Sequence, residues 1–372
     1  MVRVIPVSLC LSGRELFEPD PSPDGTWVLI GTRAAGRTGF ILVPASGGPE
    51  RLVAADPPPA VAHGHGGGCT HWLADSSGWV YVAKDGQVWL HLLTGEQRCL
   101  TAFDPAADVA SPTPSPDGRW LAVVVDLAEI HVFPLDARPG SGPAPAPAAR
   151  VHRAAPEWDF VLDPVWRPTP NADPTTAPPL VWQAWRVPAM PWDTSFLVGP
   201  AGIVAGTGDG QAQQARFGAD GALYCVRDDG GFANVYRNDE PVVREPFEHA
   251  EATWGPGQRS FAVSPDASQL AYHRNEGGFG RLVVVDLASG THRDVARGVH
   301  AQLRWVGRRL TALRSGARTP SQVVAYDTDS WERTVLAVGP AAEWLAHDHE
   351  LVEPDLVTAI ADDGLTIPAR LY

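Results

Sequence analysis

The sequence predicts an all-β protein assembled from about seven copies of one repeated unit. The first observation is a turn motif, Ser-Pro-Asp-Gly, which occurs at 22–25 and 115–118 and in altered form at 218–221 and 264–267. The second is composition, because 37 Gly and 36 Pro among 372 residues favour many turns over long helices. A period of about 40–50 residues with several strands per unit is typical of propeller blades.

The Asp position of the motif marks the repeat along the whole chain. The markers are spaced 42 to 52 residues apart and stand at Asp24, Asp75, Asp117, Thr169, Asp220, Asp266 and Arg308. Each marker is followed by a β-branched and aromatic run, then by a second run, and in most units by a third. Three strands per unit, repeated seven times, predict a roughly seven-bladed β-propeller over residues 1–345.

The motif and the aromatic residues near it have structural explanations. Pro fixes φ at the first turn position, Asp accepts hydrogen bonds from nearby amides, and Gly accepts a positive φ. Trp72, Trp166, Phe217 and Trp305 each stand three residues before a marker. We expect these large rings to fill the wedge between adjacent blades.

Charge excludes several classes of partner. The formal net charge is −14, which is opposite to the basic surface that nucleic acids and anionic lipids attract. No apolar run is long enough to span a bilayer, and the N-terminal stretch 4–11 is interrupted by Pro6 and lacks the features of a signal peptide. We therefore expect a cytoplasmic protein that binds neither nucleic acid nor membrane.

Three segments contain motifs that the repeat alone does not explain. Residues 63–68 read HGHGGG, residues 190–193 read MPWD, and residues 225–237 read CVRDDGGFANVYR. These segments resemble the His-Glu-Tyr-Gly-Gly-Gly loop, the Met-Pro-Trp-Asp segment and one blade of the acylaminoacyl and dipeptidyl peptidase branch of the prolyl oligopeptidase family. The family loop has Glu and Tyr where this chain has Gly64 and His65.

The C-terminal segment resembles the same family's crossing into its second domain. Residues 353–372 are similar to the passage from the last blade into the first strand pair of an α/β-hydrolase domain, so residues 346–372 are predicted to begin such a domain, truncated here. The nucleophile elbow of that fold is G-x-S-x-G, which does not occur in the 372 residues. The family's triad lies beyond this segment. No catalytic residue is therefore assigned, and the chain alone is expected to be inactive.

The resemblance implies a substrate-gating role. In the intact enzyme the propeller would cap the hydrolase domain, admit short peptides and exclude folded proteins, while a serine of the other domain performs acyl transfer without a cofactor. His63, His65, Trp192 and Asp193 are the candidate substrate-facing residues. For the last two, a packed corner in which Asp193 caps amides is favoured over a wall of the substrate tunnel, and for the histidines a structural or substrate-facing loop is favoured over a metal site.

A second class of function stays open, that of a stand-alone binding propeller similar to TolB, which shares the Ser-Pro-Asp-Gly turns. The 190–193 segment and the hydrolase-like ending favour the peptidase. An apolar face without its covering domain predicts either self-association or disorder of the final residues. How the ring closes is also open, because the segment 2–11 could pair with the last blade or with the other domain.

Overall fold

The repeated unit folds into a ring of seven four-stranded antiparallel sheets. A computed structural model describes residues 5–61, 67–136, 150–153, 158–169, 173 and 175–372. In each of the seven sheets the strands lie side by side in chain order, and an eighth sheet is a two-stranded hairpin at the C-terminal end. The predicted seven-bladed β-propeller is confirmed.

The blades follow one another along the chain without exchanging strands. Blades 1 and 2 contain β1 (Glu15–Pro21), β2 (Trp27–Ala34), β3 (Arg37–Pro44), β4 (Arg51–Val53), β5 (Thr70–Trp72), β6 (Gly78–Val82), β7 (Val88–Leu92) and β8 (Gln97–Cys99). Blades 3 and 4 contain β9 (Val109–Pro114), β10 (Trp120–Val125), β11 (Glu129–Pro134), β12 (Arg150–Arg153), β13 (Phe160–Trp166), β14 (Leu180–Trp185), β15 (Phe196–Gly199) and β16 (Gly202–Ala205).

The remaining blades have the same four-stranded layout. Blades 5 and 6 contain β17 (Ala212–Phe217), β18 (Leu223–Arg227), β19 (Asn234–Arg237), β20 (Glu240–Pro241), β21 (Phe261–Val263), β22 (Gln269–Glu276), β23 (Phe279–Asp286) and β24 (His292–Arg297). Blade 7 contains β25 (Val299–Val306), β26 (Arg309–Gly316), β27 (Thr319–Asp327) and β28 (Arg333–Val338), and the hairpin is β29 (Asp355–Ile360) with β30 (Thr366–Leu371).

The first strand of each blade is the innermost and was missing from the predicted three-strand unit. First strands of neighbouring blades contact one another around the axis, as β1 does with both β5 and β25. The prediction missed them because they precede the marker and are rich in residues that disfavour strands. β1, for example, reads ELFEPDP. Proline is tolerated there because the first strand is the free edge of its sheet.

The marker turns join the first strand of each blade to the second. In blade 1 the Ser22 hydroxyl donates to Asp24 Oδ1 at 2.5 Å, and the Thr26 amide donates to the same oxygen at 3.0 Å. In blade 6 Asp266 accepts from the hydroxyls of Ser264 and Ser268 in the same way. The predicted hairpin role of the motif is thus seen in the structure.

Apolar side chains of the middle strands fill the space between blades. Trp79 of blade 2 is fully buried, and its ring centroid lies 6.1 Å from that of Phe40 in blade 1. The expected wedge residues also bridge blades, since Trp72 Nε1 donates to the carbonyl of Asp20 at 2.8 Å and Trp166 Nε1 donates to that of Thr113 at 2.8 Å. Each ring therefore anchors its blade to the preceding one through packing and one hydrogen bond.

No shared strand closes the ring in the part of the chain that the structure describes. Blade 1 and blade 7 each contain four consecutive strands, and the N-terminal segment forms a short helix, α1 (Val7–Cys10). Apolar packing joins the two blades instead, for example between Ile41 and Val323 in one buried cluster. Arg14 adds a backbone bond to Gly339 at 2.8 Å, so packing and local hydrogen bonds close the seam.

The chain after blade 7 forms a 3-10 helix, Ala342–Glu350, and then the exposed hairpin β29–β30. The Trp344 indole donates to the carbonyl of Leu9 at 3.1 Å, which holds the 3-10 helix against α1. The Arg370 guanidinium lies 4.3 Å from the centre of the Phe279 ring, so the hairpin contacts blade 6. Within the described ranges no helix has the length and apolar character needed to cross a membrane.

Candidate binding site in the axial channel

A polar residue recurs at one position of the first strands, six residues before the marker. In five blades this residue has a positive φ, between 46° and 58°, and the strand pairing shifts register next to it. These residues are Glu18, Ser111, Asp163, Gln214 and Gln302. A non-glycine residue in this region is uncommon and persists where surrounding contacts hold it. The bulge therefore serves to direct polar side chains at the channel.

The bulge residues hold neighbouring blades together through hydrogen bonds. Glu18 Oε2 of blade 1 accepts from the amides of Gly68 and Cys69 at 3.0 and 2.8 Å, next to blade 2. Gln214 of blade 5 accepts from the Ser260 amide at 2.7 Å in blade 6. A polar ring of this kind fixes the relative positions of the blades, and it also leaves charged groups facing the channel.

Three arginines belong to this channel. Arg216 and Arg304 stand four residues before their markers, and Arg259 directly precedes the repeated polar position in blade 6. Arg304 Nε lies 3.2 Å from Asp20 Oδ1, while Arg216 donates to the carbonyl of Gln258 at 3.2 Å. Arg259 is only 7% exposed.

The electrostatics of the channel follow from burial and from these neighbouring charges. Burial, with the nearby charge of Arg304, lowers the pKa of Arg259 to about 9 and that of Arg216 to about 10. The same two causes lower the pKa of His71 to about 4, so its imidazole is neutral at pH 7. Burial raises the pKa of Glu18 and of Asp163. The acids are thereby weakened as counter-charges to the arginines.

A cavity of about 110 Å³ opens among these side chains. Its lining includes the residues His71, Ser111, Thr113, Val165, Arg216, Arg259 and Arg304. The Nε and Nη2 atoms of Arg259 are buried and have no hydrogen-bond partner among the described residues. A buried guanidinium edge without a partner is costly, so this edge is the feature of the channel that most needs explanation.

A second feature lies on one face of the ring, where the second and third strands of each blade are joined. Residues 190–193 connect β14 to β15, and the Trp192 ring lies 4.7 Å from that of Trp254, which is 53% exposed. Asp193 Oδ2 accepts from the Met190 amide at 3.0 Å. The corner is therefore held by a turn and an aromatic pair while part of its apolar surface faces solvent.

Glycines connect this face to the channel. A Cβ atom at Gly68 would lie only 2.7 Å from Cβ of Pro256, and one at Gly257 would lie only 2.3 Å from the amide nitrogen of Gly68. Both residues have positive φ, 85° and 78°. The loop after Trp254 consequently lies against the end of the HGHGGG segment, and the Gly257 amide donates to Asp163 at 2.9 Å.

Two of the four predicted site residues are among the described residues, and two are not. Trp192 and Asp193 lie in the corner just described, whereas His63 and His65 lie outside the described residues. Among the described residues, no group of three or more His, Cys, Asp or Glu side chains is arranged to hold a metal ion.

Sequence reasoning missed the channel residues. A signal for them is present, because six of the seven residues that stand six positions before the marker are polar. Cys69 is the exception. Alignment of the repeats by the marker, followed by inspection of the preceding residues as well as the following ones, would have found them.

Comparison of sequences identifies no relative of this chain. No family model matches it, and no curated protein sequence matches it.

Solved structures match it by fold. A puromycin-hydrolysing peptidase from Mycobacterium tuberculosis is similar with a TM-score of 0.78 and 22% identity over 96% of this chain. A puromycin hydrolase is similar with a TM-score of 0.75 and 23% identity over the same share. This chain spans 57% and 58% of those two proteins, which is under two thirds of their length.

The β-propeller domain of the Trilobed protease from Pyrococcus furiosus is matched over 98% of its length, with a TM-score of 0.58 and 10% identity. That domain is described as having an open Velcro topology. In the described part of this chain, blades 1 and 7 likewise share no strand. The fold of this chain is therefore that of the propeller portion of prolyl oligopeptidase-family peptidases.

Proposed function

We propose that this chain is the substrate-gating propeller of a serine peptidase of the prolyl oligopeptidase family, which cleaves short peptides by acyl transfer. The catalytic serine, histidine and acid would belong to an α/β-hydrolase domain of which residues 346–372 form the beginning. In support, the chain matches two peptidases over 96% of its own length but little more than half of theirs.

The observation that carries the proposal is the position of the hairpin β29–β30. The hairpin approaches the turn between β22 and β23. A Cβ atom placed at Gly278 in this turn would lie 3.0 Å from Nε and Nη2 of Arg370. All turns between second and third strands lie at the same end of a propeller of antiparallel four-stranded blades, so the 190–193 corner is on this face too. A hydrolase domain that follows the hairpin would cover this face and the mouth of the channel.

The exposed side chains of this face suit such a partner. Leu356, Ile360, Leu365 and Leu371 of the hairpin are 54%, 77%, 62% and 61% exposed. Soluble proteins seldom leave contiguous apolar surface of this kind uncovered. Trp192 and Asp193, with His63 and His65, are proposed to face substrate at the junction between the two domains.

An activity assay tests where the catalytic groups are. The purified 372-residue chain is expected to show no saturable hydrolysis of chromogenic aminoacyl or acylaminoacyl substrates. The same chain, extended by the codons that follow Tyr372 in its source genome, is expected to contain a G-x-S-x-G motif and to hydrolyse them. Replacement of that motif's serine by alanine is the control.

Two results would contradict the proposal. One is turnover by the 372-residue chain that disappears when one of its own serines is replaced. The other is a downstream reading frame without a nucleophile elbow, which would favour the stand-alone binding propeller.

A further inference from the structure

We propose that the axial channel contains a carboxylate-binding site built around Arg259, with Arg216 and Arg304 beside it. The carboxylate would be that of a small organic acid or the C-terminal carboxylate of a short peptide in the channel. Only the peptide source rests on the proposed function. The site itself is a property of the isolated chain.

The unpaired edge of the Arg259 guanidinium matches the two oxygens of a carboxylate. Nε and Nη2 lie on the same side of the guanidinium, and both lack a hydrogen-bond partner among the described residues. Parallel N–H donors on one side of an arginine are the geometry that binds both oxygens of a carboxylate. Arg259 also lines the cavity.

The size of the cavity fits a small ligand group. A volume of about 110 Å³ holds a carboxylate with its α-carbon or a few waters. Thr70 lines it and adds a further hydroxyl, whereas the hydroxyls of Ser111 and Thr113 donate to Asp163 Oδ1 and to the Ser111 carbonyl. Arg304 keeps 25% of its side chain exposed, so the site opens towards solvent in the channel.

The charges favour an anion. Arg304 is partly neutralised by Asp20 at 3.2 Å, and Arg216 has Asp163 as an acidic neighbour. Arg259 has Asp20 and Glu18 as acidic neighbours but keeps an unused edge, and the positive charges of Arg304 and Arg216 add to its own. Attraction to the arginines and repulsion from the acids both scale with the charge of the ligand, so the paired donor geometry of Arg259 is what selects a carboxylate.

The first test compares anions on the wild-type chain. Sodium acetate is expected to raise the melting temperature above that in sodium chloride of equal ionic strength, whereas sodium phosphate should not exceed acetate at the same ionic strength. Absence of an acetate-specific rise would overturn the proposal, and so would stabilisation by phosphate without any by acetate.

Variants then assign the effect to Arg259. Arg259→Gln is expected to abolish the acetate-dependent rise, and Arg259→Lys, which keeps the charge without the paired donors, should weaken acetate binding about tenfold or more. The matched control is Arg308→Gln, because the Arg308 side chain is 69% exposed in the turn between β25 and β26 and pairs with Asp329. An Arg259→Gln chain that responds to acetate as the wild type does would refute the assignment.

A cavity-filling variant keeps the test valid if Arg259→Gln does not fold. Val165 lines the cavity and carries no charge, so Val165→Phe should reduce acetate binding while all three arginines remain. Unchanged acetate binding in folded Val165→Phe would contradict the site.

Calorimetry with a tripeptide and its C-terminal amide identifies the source of the carboxylate. Binding of the acid but not of the amide would support a peptide terminus, and binding of acetate alone would support a small organic acid. Equal binding of acid and amide would show that the carboxylate is not what the site recognises. None of these results depends on catalysis, so the peptidase proposal can fail separately.

Discussion

The first and second strands of a blade pair with each other, yet they have opposite character. The second strands are apolar and buried, as in β10, WLAVVV, where five of six residues are buried. The first strands contain bulges, prolines and the carboxylates of Glu18, Asp20 and Asp163. The difference shows that the middle of each blade provides the packing energy, while the inner edge holds polar groups in place around the channel.

The largest effect on stability is expected from a middle strand. Trp79 is fully buried, stacks on His91 at 4.4 Å and meets Trp72 at 5.3 Å. Trp79→Ala should lower the free energy of unfolding by about 3–5 kcal/mol, because it leaves a cavity between two blades. Urea denaturation followed by circular dichroism measures the change.

Two variants sharpen this prediction. Trp79 Nε1 has no hydrogen-bond partner among the described residues, so Trp79→Phe should cost much less than Trp79→Ala. Leu52 is 79% exposed, and Leu52→Ala should change stability by no more than about 0.5 kcal/mol. Similar losses for Trp79→Ala and Leu52→Ala would show that packing between blades is not the main source of stability.

A smaller effect is expected from the inner edge. Glu18 accepts bonds from the amides of Gly68, Cys69 and Thr70, at 3.0, 2.8 and 3.3 Å. Glu18→Ala removes the acceptor for these buried donors and should cost about 1–3 kcal/mol. Glu18→Gln retains an oxygen acceptor and should cost less.

The pH dependence of the Glu18→Gln comparison has a definite sign. Burial raises the pKa of Glu18 above its ordinary 4.5, so the folded state binds the proton more tightly than the unfolded state. This contribution to stability is complete below pH 4.5 and is lost as the pH rises through the raised pKa. Wild type should therefore lose stability relative to Glu18→Gln as the pH rises from 4.5. A difference that is constant with pH would contradict the direction of the shift.

The same contrast explains what could be predicted from the sequence. The turn at Asp117 and the apolar run after it are local signals, and together they predict β10 and the number of blades. β1 could not be recognised from propensity, because its prolines and carboxylates are accommodated by the ring and not by the strand itself. The convergence of Arg216, Arg259 and Arg304 depends on closure of that ring, which no local pattern contains.

The smallest effect on folding is expected from the hairpin, whose apolar residues resemble those of the middle strands but have no neighbouring blade. All six residues of β29 are exposed, and the attachment of the hairpin to blade 6 includes one cation–π contact between Arg370 and Phe279. Such a contact is worth about 0.5–1 kcal/mol at an exposed site. Removal of residues 354–372 should therefore leave the circular dichroism spectrum of the blades and their unfolding free energy almost unchanged.

The same removal is expected to change association. Exposed apolar strands pair readily with other chains, so the full chain should self-associate with rising concentration, and the shortened chain should remain monomeric by light scattering and sedimentation. Leu356→Ser with Ile360→Ser keeps the length of the hairpin and removes side chains that are 54% and 77% exposed, which separates apolar contact from chain length. A full chain that stays monomeric at all concentrations would show that the hairpin face is not a surface that another chain covers. The exposure of the hairpin's apolar residues would then not indicate a missing partner.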